Sequence, residues 1–366
     1  MTIRNGSAAF GGGIFNHGGT TMVDGSTVSA NTADDGGGIY NWGVLNVQNS
    51  STVSANTATT GDGGGIYNQS TLNVQSSTIG GTGAGNTANV DGGGIYNSFL
   101  GMTTVDGSTV SANTADAGGG IYNWSDTLNV QNGSTIGGAG AGNTAYAGGG
   151  IYNESGTTTV NLSSVSANTA FYGGGICNEP GTLNVQNGST VSANLATVHG
   201  GGIINWGGTT TVDGSTISAN AANYGGGIHN AATLNVQNGS TIGGTSTGNT
   251  ATSWGGGIYN YDGTTTVTGS RILNNTATTT GGGVFNIRDV TGATIVTGSC
   301  IVGNSAISYF NNRPSQQIAT GNWWGAATGP NTPGADTVGK LIDTSGYLTE
   351  PILGCGFYVY MPLVLK

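Results

Sequence analysis

Short runs of apolar and β-branched residues recur along the whole chain, each cut off by Gly or Asn after a few positions. Such runs predict strands, not helices. The runs are organised by a repeat. Gly-Gly-Gly begins at residues 11, 36, 63, 92, 118, 148, 173, 200, 225, 255 and 281. Each unit has three parts. Gly-Gly-Gly-Ile-Tyr-Asn comes first, then Thr-Thr-Val-Asp-Gly-Ser or Leu-Asn-Val-Gln-Asn-Gly, then Ser-Thr-Val-Ser-Ala-Asn-Thr-Ala. A period in the range of 20–50 residues marks a solenoid, propeller or array. These units are too short for the four strands of a propeller blade.

Aligned repeats form columns. Ile follows the glycines from Ile14 to Ile258, and Val284 ends that column. An aromatic residue usually comes next, as in Phe15, Tyr40, Tyr67, Tyr96, Tyr122, Tyr152, Tyr259 and Phe285. Two Asn columns are unbroken, one from Asn16 to Asn286 and one from Asn31 to Asn304. The expected fold is all-β: a right-handed, single-stranded parallel β-helix of about 11 coils, 25–30 residues each, with three strands per coil. Ile and Val point inward, and stacked Asn amides bond along the axis. Eleven coils at the inter-strand spacing give a rod roughly 50 Å long. Residues 1–307 form the repeat domain and 308–366 a capping segment. The longer units carry inserts at Gly80–Gly85, Gly137–Gly142 and Gly243–Gly248, so one corner bulges while the other faces stay regular.

Composition narrows the function. Of 366 residues, 73 are Gly and only 6% are charged. Between Arg4 and Arg271 there is no Lys or Arg, while twelve Asp and Glu occur. Phosphate backbones and anionic membranes require cations, so nucleic acid is excluded as a partner and polyanions are disfavoured. No run of about eighteen apolar residues predicts a membrane span.

The GGGIYN motif, carried by Gly11–Asn16 and its ten copies, together with the SANTA segments, resembles the GGA[ILV] and FxxN repeats of polymorphic outer-membrane-protein-type adhesins. A third Gly stands for Ala, and Tyr for Phe. More broadly, residues 1–307 are similar to secreted right-handed parallel β-helix proteins of bacteria. Asn322-Trp323-Trp324-Gly325 resembles their closing segment, and the tail from Val359 to Lys366 resembles that of secreted Chloroflexi-like proteins. The resemblance implies a secreted or cell-surface location and a role in adhesion.

Candidate chemistry is sparse. Asp35, Asp62 and Asp91 each precede a glycine triplet, so they stack on adjacent coils as a carboxylate line suited to Ca²⁺; the plainer alternative is a solvated acidic face. Calcium is the only cofactor this suggests. Further along, the same site becomes Tyr172, His199, Tyr224 and Trp254, and Trp42, Trp124, Trp206 and Tyr261 lie beside the first Asn column. Trp42, Trp124, Tyr172, Trp206, Tyr224 and Trp254 are therefore candidate carbohydrate-binding rings, with ladder packing as the plainer alternative. His17, His199 and His229 share no spacing and read as isolated ladder substitutions. Cys300 falls in the outward Thr column of the last coil and is placed to bridge to Cys355.

The expected function is a non-enzymatic, secreted or surface-attached β-helix that contacts an extracellular polysaccharide or a surface protein. A polysaccharide-degrading lyase or hydrolase is the alternative, and an end-to-end stacking fibre subunit the second. The segment Thr2–Ala9 reads like the end of a coil, with no signal peptide before it. From this the expectation is a native start further upstream, or self-association at that end.

Overall fold

In the computed structural model, which describes residues 1–287, 292–305, 307–352 and 355, most coils have four strand segments. The first coil illustrates them: Ile14–Asn16, Thr20–Asp24, Thr27–Ser29 and Thr32–Asp35. Equivalent strands of successive coils pair in parallel. They build two 12-stranded ladders and one 13-stranded ladder, with a fourth face split into four and six strands. The chain is thus a parallel β-solenoid, and no helix occurs among the described residues. No helix there is long and apolar enough to cross a membrane.

Two expectations need correction. The expected third strand is really two. In Ser-Ala-Asn-Thr-Ala the chain turns at Ala, which takes φ of 54° at Ala30, 52° at Ala55 and 57° at Ala167. The segment after the turn then pairs as a separate face, as in Thr57↔Thr32 and Ala58↔Ala33. The reason is visible in the inward residues. The fourth face contributes Ala33, Ala58, Ala88, Ala170 and Ala251, all buried, where the other faces contribute Ile, Leu and Val. The coil count is also larger than eleven, since the longest ladder has 13 strands. At about 4.8 Å per strand the rod is roughly 60 Å long. Thr2–Arg4 and Ser7–Phe10 add a partial coil at one end, pairing with Thr27–Ser29 and Thr32–Asp35. At the other, Tyr309–Asn311, Gln317–Ile318 and Ile342–Asp343 extend two ladders past residue 307.

The two Asn columns are inward ladders. Asn31 uses its main-chain N–H and its Nδ2 to donate to Oδ1 of Asn56, both at 3.0 Å. Asn56 in turn donates from Nδ2 to the Val28 carbonyl, closing the corner. In the other column Asn41 donates to Oδ1 of Asn68 and to the carbonyls of Gly43 and Thr71. Buried amides tolerate this position only because every donor has an acceptor.

The glycine triplet is required for two different reasons. Its first member is left-handed, as at Gly173 with φ 61°, a conformation in which a side chain is strained. Its second and third members lie against the next coil: a Cβ on Gly174 would sit 2.5 Å from the Leu195 carbonyl, and one on Gly175 2.5 Å from that of Gly202.

The end of the rod is closed by Trp324, which is fully buried and packs into the main core. Cys300 and Cys355 form a disulfide with Cα atoms 5.8 Å apart, beside buried Trp323. Phe357, Tyr358 and the Val359–Lys366 tail lie outside the described residues.

Candidate functional site

Three adjacent columns on the outside of the rod make a trench along its length. One wall is the residue before each glycine triplet. It runs through Asp91, Ala117 and Ala147 to Tyr172, His199, Tyr224 and Trp254, each paired with the next, with the register shifting just before Tyr172, His199 and Tyr224. The floor is the aromatic column, and the other wall is the residue after Asn, including Trp124, Glu154 and Glu179 in register. What fills the trench differs between its two halves.

In the first half Tyr40, Tyr67, Tyr96, Tyr122 and Tyr152 stack face on face. Tyr40 and Tyr67 have centroids 4.5 Å apart at 4°, and Tyr122 and Tyr152 4.9 Å apart at 7°. Although these rings point away from the core, neighbouring rings and both walls bury Tyr40, Tyr96 and Tyr122 and leave Tyr67 and Tyr152 half-buried. Their hydroxyls hydrogen-bond to the second wall: Tyr122 to Glu154, and Tyr152 to Glu179 at 2.8 Å. Burial pushes the phenol of Tyr152 well up.

The Asp line stands along this half. The carboxylate Oδ1 of Asp35 accepts the main-chain N–H of Asp62 at 2.9 Å. Asp62 accepts that of Asp91 at 3.0 Å, and Asp91 that of Ala117 at 3.1 Å. The three do stack coil on coil, but each has one oxygen committed to holding the next coil. Burial raises the Asp62 carboxyl to about 6, with the charge of Asp35 adding to it and the bond from Asp91 opposing. Burial, then the charge of Asp62, raises Asp91 to about 7. No group of three His, Cys, Asp or Glu side chains suited to a metal occurs among the described residues.

In the second half the floor changes. After Tyr152 the column reads Cys177, Ile204 and His229 before Tyr259 and Phe285 resume it. Three phenol rings are replaced by smaller side chains. At His229 the trench opens into a groove of about 590 Å³, which fully buried Cys177 and Ile204 do not line. Tyr172, His199, Tyr224 and Trp254 form one wall, Trp206, Ala231, Tyr261 and Ile287 the other, and His229 and Tyr259 the floor. Some of its ring pairs stack, as Tyr172 with His199 and Trp254 with Tyr259, each at 10°, and others tilt. Tyr172 and Trp206 meet at 4.9 Å and 55°, and Tyr224 and Trp254 at 5.4 Å and 41°.

Four of the six candidate rings, Tyr172, Trp206, Tyr224 and Trp254, therefore come together. Trp42 and Trp124 do not. Trp42, 46% exposed, contacts His17 and Tyr40 and donates from its indole to Gln69. Trp124, 40% exposed, lies against Phe99.

The histidines correct the sequence expectation. His199 and His229 are not isolated: their ring centroids are 4.5 Å apart in the groove. Nδ1 of each is enclosed and has no hydrogen-bond partner. Burial holds both imidazoles below the ordinary histidine range, most strongly His229, where His199 adds to the effect. The signal was present in the sequence, since each replaces an aromatic column residue and the two columns are neighbours. Their 30-residue separation conceals that they lie on adjacent coils.

No protein-family model, curated protein or solved structure matches this chain.

Proposed function

We propose that the protein is a non-enzymatic β-solenoid, acting outside the cell or at its surface, that binds an extracellular polysaccharide in the Tyr172–Trp254 groove. The observation that carries this is the interrupted Tyr column. The repeat supplies a filled trench by default, and the chain departs from it over three successive coils, where four large rings surround the opening. Aromatic faces with polar edges complement sugar rings, which have apolar faces and hydroxyl edges. The ten described residues lining the groove include no carboxylate, and glycosidase chemistry needs a pair of them, so the site favours binding over hydrolysis.

The experiment is retention on a panel of insoluble and immobilised polysaccharides, with a reducing-sugar assay on the same samples. Retention without sugar release supports the proposal, and release of reducing ends turns the assignment to an enzyme. Failure to bind any member removes it.

A further inference from the structure

We infer that the groove takes a linear, extended glycan laid parallel to the rod axis, one pyranose unit per coil over the four rungs Tyr172, His199, Tyr224 and Trp254. This rests on the glycan reading above and specifies the shape of the ligand. Three observations support it.

The first is direction. Both walls and the floor are ladder columns, so the groove follows the axis by construction: Tyr172 pairs with His199, His199 with Tyr224, and Tyr224 with Trp254. A ligand filling it is long in that direction and narrow across.

The second is period. The ring centroids of successive rungs are 5.8, 5.1 and 5.4 Å apart. That spacing is close to the rise of one pyranose in an extended β-1,4-linked chain, so each added sugar meets one further rung. The floor supplies polarity within the apolar walls. His229 is only 3% exposed, and its imidazole has an unpartnered nitrogen, a polar group left unsatisfied in the middle of the groove.

The third is continuation. Beyond Tyr172 the aromatic surface goes on to the previous coil. Phe171 meets Tyr172 edge-on at 4.7 Å, and Tyr146 stacks on Phe171 at 5.2 Å and 7°. Tyr146 is 58% exposed and Phe171 36%, and neither is needed to close the core. A chain longer than four units leaving the groove on that side passes over this pair.

The test is calorimetric titration of the intact chain with β-1,4-linked gluco-, manno-, xylo- and N-acetylglucosamine oligosaccharides of increasing length. In the series that binds, affinity should rise about three- to tenfold with each unit up to four. Tyr146→Ala and Phe171→Ala should weaken the hexasaccharide several-fold and leave the trisaccharide unchanged. Both side chains are exposed, and matching thermal melts would show that the variants fold. Equal affinity from monosaccharide to hexasaccharide would overturn the extended-chain assignment while leaving glycan binding intact. Hexasaccharide binding that ignores both variants would overturn the continuation beyond Tyr172. No binding of any oligosaccharide or polysaccharide would instead remove the glycan reading itself.

Discussion

Asn304 donates from both its main-chain N–H and its Nδ2 to Oδ2 of Asp336, each at 3.1 Å. Every earlier asparagine of that column makes the same pair of bonds to the amide oxygen of the next, as Asn275 does to Asn304 at 3.0 Å. Asp336 thus occupies the acceptor position of a further asparagine, from a segment with no repeat signature. Its other oxygen, Oδ1, takes the Gly303 N–H at 2.8 Å, and the Ser308 hydroxyl donates to Oδ2 at 2.7 Å.

Asp336→Ala should therefore leave buried donors of Asn304 unpaired and destabilise the chain by about 1–3 kcal/mol. Asp336→Asn keeps one acceptor oxygen and should lose less. Denaturant melts of the two variants check this, and equal losses would show that the acceptor is unimportant.

In the groove, Trp206→Ala and Trp254→Ala should each weaken polysaccharide binding by about tenfold or more. Trp42→Ala and Trp124→Ala should leave it unchanged, because those rings lie elsewhere. Affinity electrophoresis of the four variants separates a local site from a general aromatic surface.

His229→Tyr should restore the column and fill the groove floor. The neighbouring Tyr259 shows that the position accepts a phenol. The expected outcome is loss of binding with a thermal midpoint close to that of the unaltered chain, measured by calorimetry on one sample.

The Asp line gives stability a distinctive pH dependence. Asp62 and Asp91 are raised to about 6 and about 7 in the folded chain, against about 3.9 when unfolded. Between about pH 4 and about pH 7 the folded state binds more protons than the unfolded state. The contribution of these groups therefore falls as pH rises through that window and is least favourable above it. Asp62→Asn and Asp91→Asn keep an oxygen for the main-chain N–H. They should flatten the fall and raise the melting temperature at about pH 8 relative to about pH 5. Thermal melts across that range measure it.

Most of the architecture was legible because ladder stacking repeats each constraint at every coil. Eleven copies of Asn and of Gly-Gly-Gly declare their roles where one would not. The fourth face was missed because its strands are as short as Thr57–Ala58, two residues, and its turn uses Ala in a conformation associated with Gly and Asn. The groove was half legible. Its wall residues stood out as aromatic, but the cause lies in what His229 lacks. A missing volume is visible only against the filled column on neighbouring coils. The closure by Asp336 left no trace in the repeat, since it comes from 32 residues beyond Asn304.

The asparagine ladders also give the rod an electrical direction. From Asn31 to Asn304 each Nδ2 points toward the next coil and each Oδ1 back toward the previous one. The second column, as at Asn41 and Asn68, is oriented the same way. Amide dipoles aligned head to tail add along the axis, as peptide dipoles do in a helix. Here they run parallel in two buried files, and the file from Asn31 to Asn304 has its positive end directed at the carboxyl of Asp336. The two ends of the rod are therefore electrostatically different objects, even though the coils between them are nearly the same.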